Sequence, residues 1–168
     1  MKDYRAPQLK RKAIVQGHCH HKAIMRLDEE ESVMKKMGLD FEVLESGCCG
    51  MAGSFGYETD KYDVSIQCGE RALLPRVRKA SLEAIVMADG FSCREQISQQ
   101  TNRHALHLAE VIEIAQRPAV HRAPGMYPEK ELVARREAGL RRARNRTIAA
   151  LGGLAVVGLL LATLTRKR

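Results

Sequence analysis

The chain has 168 residues, enough for one compact domain, with no tryptophan and 4% aromatic residues, so its core must be aliphatic. Its net charge of +8 is unevenly placed: Glu131 to Arg168 holds nine Lys/Arg and two acidic residues, while the preceding residues hold nineteen and eighteen. A basic stripe for phosphate contact should sit on the folded part, which is nearly neutral, so nucleic acid is not expected as a partner.

Met1 opens a polar, charged stretch with Lys2, Asp3, Arg5, Lys10, Arg11 and Lys12, and no signal-peptide pattern is seen. A reducing compartment is therefore expected, where five clustered cysteines mean metal or redox chemistry rather than disulfides. Three short apolar runs, Ala13–Gln16, Phe41–Leu44 and Ala84–Met87, read as buried strands. Between the first two, Ile24, Leu27, Met34 and Met37 recur near helical spacing over His21–Met37, and Gly38 ends that helix. Asp60–Arg78 reads as helix, with Pro75 starting a new turn. Asn102 is expected to cap a helix whose Ala105, Leu108, Ala109, Ile112 and Ala115 share a face, and Pro118 stops it.

Strand and helix alternate, which points to an α/β fold: a parallel sheet with right-handed βαβ crossovers in a Rossmann-like, three-layer arrangement. Residues 1–117 form the cysteine-rich, metal-binding domain in this reading. Residues 118–146 are a linker with Pro118, Pro124, Gly125 and Pro128, followed by a basic helix-prone segment with six arginines. Thr147 to Thr165 is nineteen residues without a charge. As a helix it is about 28 Å long, close to the hydrocarbon thickness. The expectation is a transmembrane helix over 147–165, with the more basic flank and the soluble domain on the cytoplasmic side of the cell inner membrane.

The chemistry lies in Cys19, Cys48, Cys49 and Cys93. Cys19 follows the first strand by three residues, Cys48 and Cys49 follow the second by four and five, and Cys93 follows the third by six. In a parallel sheet these loops leave at one edge, the carboxyl ends of the strands, where such folds bind ligands. Four thiolates at one point suit a soft metal, either iron–sulfur or zinc. Gly47, Gly50, Gly53 and Gly56 bracket the cysteine pair and allow backbone N–H groups near the sulfurs. Cys68 reads as a buried thiol in mid-helix. His18, His20 and His21 flank Cys19 and leave open either a mixed Cys/His zinc site or a role at the strand end. His104 and His107 could approach the same edge. Arg94 and Glu95 read as a pair or as solvated charges, and Tyr57 and Glu58 as loop residues.

The segments HCHHKA, ESGCCGMAGSFGYE, ADGFSCREQI and HLAEVIEIA resemble the CCG cysteine-rich domain. That domain is found in heterodisulfide reductase and in the iron–sulfur subunits of glycolate oxidase and anaerobic glycerol-3-phosphate dehydrogenase. It is also found in lactate-utilisation proteins. The resemblance is greatest to the C-terminal part of FAD-linked oxidase/iron–sulfur fusion proteins acting on D-2-hydroxy acids, and it covers about Ala13 to Gln116. It implies Cys19, Cys48, Cys49 and Cys93 as cluster ligands. It departs at Gln96, where the family has a further cysteine. It also implies a [4Fe–4S] cluster or its noncubane variant, with zinc as the alternative. No flavin domain precedes the first strand, so the chain reads as a detached terminal domain and as an oxidoreductase component rather than a complete enzyme. The resulting expectation is a membrane-anchored electron-transfer module. It would take electrons from a flavin-containing oxidoreductase subunit and pass them to a membrane acceptor such as quinone. A zinc-binding structural domain and a thiol/disulfide reductase are the alternatives.

Overall fold

The computed structural model describes residues 5–117 and 127–165, with side chains as far as Gly153. Three parallel strands form the sheet: β1 (Lys12–Gln16), β2 (Asp40–Val43) and β3 (Ile85–Ala88), in the order β2-β1-β3. Val15 pairs with Val43 and Gln16 with Ala88, so all three strands end level at one edge.

β3 is buried along its whole length, as its unbroken Ile-Val-Met-Ala run requires. Its outer side is capped by Leu106, which donates its N–H to Val86 O at 2.8 Å and accepts from Ala88 N at 3.0 Å. β2 is different: it alternates exposed and half-buried residues, with Asp40 and Glu42 facing water. The Rossmann-like three-layer expectation is therefore corrected to a small three-stranded sheet among seven helices of the described residues, with one edge strand only partly covered.

The first expected helix is two helices. α1 (Cys19–Ile24) stops where Arg26 takes a left-handed φ of 66°. α2 (Asp28–Lys36) starts afresh on Asp28, Glu29, Glu30 and Glu31, four acids that suit the positive end of a helix dipole. Met34 and Met37 reach the core, whereas Ile24 stays exposed on α1, which has no buried residue. The stretch after the glycine-rich loop also divides. A 3₁₀ turn at Phe55–Tyr57 leads to α3 (Tyr62–Glu70) and then α4 (Leu73–Lys79), with Pro75 in the first turn of α4, where its missing N–H costs nothing.

α5 (Phe91–Gln100) follows β3, and α6 (Leu108–Gln116) follows the Leu106 bridge. His107, not Asn102, caps α6: its Nδ1 accepts from Ala109 N at 3.1 Å while Glu110 Oε2 accepts from His107 N at 2.8 Å. Asn102 instead donates to Tyr127 Oη at 2.9 Å.

Of the expected linker, 118–126 lie outside the described residues. Its far end is fixed within the first unit, Met1–Lys130: Glu129 is buried and accepts from Arg103 Nε at 2.7 Å, and Arg103 lies 4.3 Å from the centre of the Tyr127 ring. The described residues of the second unit, Glu131–Arg168, belong to one long helix, α7 (Lys130–Thr165).

Among the described residues no helix is long and apolar enough to cross a membrane. The expected transmembrane helix over 147–165 is corrected accordingly, and so is the single-pass placement in the cell inner membrane facing the cytoplasm. The quinone acceptor reached through that anchor loses its basis. In α7, six arginines lie between Arg135 and Arg146, and seven uncharged residues follow as far as Gly153. The side chains from 154 onward lie outside the described residues.

Candidate functional site

The level strand ends bring three loops together. Cys19 is the first residue of α1, just after β1. Cys48 and Cys49 lie in the loop after β2, and Cys93 is the third residue of α5, after β3. Cys19 hydrogen-bonds with Cys48, Cys49 with Cys93, and Cys93 feels the charge of the other three. Two of the four are buried in the core with Leu44, Met51, Ile97 and Ala105: Cys49 is 3% exposed and Cys93 1%. Cys19 and Cys48 are exposed. The cluster thus has an inner pair held by packing and an outer pair open to solvent.

The loop backbone is arranged around the sulfurs. Gly50 N donates to Cys48 Sγ at 3.3 Å. Gly50 has φ 95°, and a Cβ there would meet Ser65 O at 2.0 Å, so only glycine allows this approach to α3. Cys49 is drawn down to about 6 by the hydrogen bond from Cys93, with the N–H groups of Met51 and Ala52 acting in the same direction against burial. Cys93 is pushed up for the complementary reason: it keeps the shared proton beside a neighbouring thiolate, in a buried position. Cys48 is also pushed up, first by burial, with Gly50 N opposing. Among the described residues no three His, Cys, Asp or Glu side chains close around a point as a single metal ion would need.

Two buried glutamines hold the loop. Gln16, at the end of β1, donates to Gly47 O at 3.1 Å and accepts from the Ser46 hydroxyl, which ties the first loop to the second. Gln96 is 1% exposed and donates to Ser65 O at 3.2 Å, so it braces α3 beneath the loop instead of facing the sulfurs. Gln16 was not singled out from sequence. Its signal was a polar residue ending an apolar strand beside the site.

The histidines are placed elsewhere. His21 Nε2 lies 3.1 Å from Glu30, the ring of His18 packs against Gly90, and His107 is committed to its cap. His20 and His104 are exposed. Arg94 donates to Ala88 O at 3.1 Å and Asp89 O at 2.6 Å, fixing the end of β3, and does not pair with Glu95. Tyr57 Oη accepts from Gln99, and Glu58 pairs with Lys61. Cys68 is half-buried and lines a cavity with Cys48, a placement that its mid-helix position did not reveal.

No family model matches the chain. No solved structure matches it. The chain is similar to D-2-hydroxyglutarate dehydrogenase of Pseudomonas putida, 31% identical over 104 residues, covering 60% of this chain and 10% of that protein. It is similar to one subunit of the anaerobic glycerol-3-phosphate dehydrogenase of Escherichia coli, 36% identical over 70 residues, covering 42% of this chain and 17% of that protein. D-2-hydroxyglutarate dehydrogenase of Escherichia coli is 28% identical over 87 residues, covering 48% of this chain and 8% of that protein. The chain therefore spans about a tenth of the length of the D-2-hydroxyglutarate dehydrogenases it matches.

Proposed function

We propose that the chain is an iron–sulfur electron-transfer module of an oxidoreductase, with Cys19, Cys48, Cys49 and Cys93 holding a cluster of the [4Fe–4S] type or its noncubane variant. The observation that carries this reading is the convergence of four sulfurs from three separate loops at one edge of the sheet. The donor set fits: thiolates are the usual cluster ligands, and Gly50, Met51 and Ala52 supply N–H donors to the sulfurs.

When bound, a cluster supplies reversible one-electron storage. The chain's own residues do the rest. Cys49 and Cys93 would hold such a group from within the packed core. Cys19 and Cys48 are exposed and would hold it from the solvent side, where a partner can approach. Similarity to pieces of dehydrogenases, together with the resemblance to FAD-linked fusion proteins, supports a flavin-containing oxidoreductase subunit as the electron donor.

The test is anaerobic reduction of the full chain by photoreduced FMN. The visible absorption of the loaded protein should bleach reversibly and a paramagnetic signal should appear, both lost in Cys49→Ser. A protein that FMN and dithionite both fail to reduce contradicts the proposal.

A further inference from the structure

A cavity of about 310 Å³ lies beside the exposed sulfur of Cys48. At roughly 30 Å³ per water it has the volume of about ten waters, the lower end of the size range for small-molecule sites. We propose that this cavity binds a small organic anion, its carboxylate or phosphoryl group held by Arg71 and its other end against the sulfurs of Cys48 and Cys68. Such a site abuts the cysteine cluster and shares Cys48 with it.

Charge decides the ligand class. Glu45 lines the cavity, but its carboxylate is paired with Lys22 at 3.2 Å, so together they add no net charge. The Ser46 hydroxyl is committed to Gln16. Arg71 is the remaining ionised group of the wall, and among the described residues it makes no hydrogen bond or ion pair. Its neighbours in sequence behave otherwise: Arg76 is paired with Glu42, and Arg78 with Glu70 at 2.7 Å. An uncommitted guanidinium presents a planar fork that matches carboxylate and phosphoryl oxygens.

The thiols fix where such an anion lies. Cys68 is on α3 and Arg71 follows it by three residues with helical backbone angles, φ −59° and ψ −38°, so the two share a face one turn apart. Cys68 Cβ is 3.1 Å from where a Cβ on Gly50 would stand, so the thiol wall abuts the Cys48–Cys49–Gly50 loop. An anion on Arg71 is thereby held between a free thiol and the outer edge of the cysteine cluster.

The test compares alkylation of Cys68 by iodoacetate, an anion, and by iodoacetamide, its neutral counterpart. It uses the full chain under anaerobic conditions, with the modified peptide followed by mass spectrometry. The iodoacetate-to-iodoacetamide rate ratio at Cys68 should fall about threefold to fivefold in Arg71→Ala, the size expected of one exposed charge pair, and be largely kept in Arg71→Lys. Millimolar succinate or inorganic phosphate should protect Cys68 in the wild type and not in Arg71→Ala. Protection by succinate alone assigns a carboxylate, and protection by phosphate alone a phosphoryl group. A ratio unchanged in Arg71→Ala, protection by neither anion, or a Cys68 that reacts with neither reagent each overturns the proposal.

Discussion

Cys49 concentrates the chemistry of the site in one atom. Its thiolate is favoured first by the proton of Cys93 and then by backbone N–H groups, so the metal-free chain should hold one thiolate with a midpoint of about 6. Ultraviolet titration of thiolate absorption should show that step, and Cys49→Ser should remove it. Cys93→Ala should move it upward, because the principal donor is gone. Stability follows with a definite sign. A thiol lowered in the folded state stabilises the fold fully above the ordinary thiol range and loses that contribution as pH falls through about 6. Cys93 runs the other way: its contribution is present below the ordinary thiol range and is lost as pH rises above that range toward its raised value. Gly50 is the residue on which the loop turns. Gly50→Ala places a methyl on Ser65 O at a left-handed φ, and should cost about 2 kcal/mol or more in urea unfolding and release any bound metal. The gathering of the four cysteines at one sheet edge was legible in sequence because each follows a strand. Gln16, Gln96 and Cys68 were not, because their roles depend on which loops the sheet brings together.

At the scale of elements, the three strands were legible because buried parallel strands appear as short apolar runs bounded by polar or turn residues. Helix boundaries were less so. The break at Arg26 comes from one left-handed residue followed by four acids, and the start of α6 comes from a histidine acting as a cap, an uncommon choice for that position. The segment around Glu129 was read as linker from its prolines and glycine, yet a buried ion pair with Arg103 holds its end. Arg103 also donates to Ala84 O at 2.6 Å, just before β3, so the pair ties this segment to the sheet. Glu129→Ala leaves a buried guanidinium without its counter-charge and should cost about 3–5 kcal/mol, measured by urea denaturation of the full chain. Glu129→Gln, which keeps one acceptor, should cost less.

For the whole molecule, the first unit carries the sheet and all five cysteines, and the second carries most of the net charge, its described residues all in α7. The apolar run near the C-terminus was legible as composition, but composition alone over-read it as a membrane span. No described helix meets that requirement. The candidate site lies in the first unit, where four cysteines converge on one sheet edge. Anaerobic purification followed by iron, labile sulfide and zinc analysis of the wild type and Cys49→Ser tests a cluster at that edge most directly. Iron with a matching amount of sulfide is expected in the wild type, and its loss in the variant. Zinc without sulfide, or no metal bound at all, would contradict the cluster.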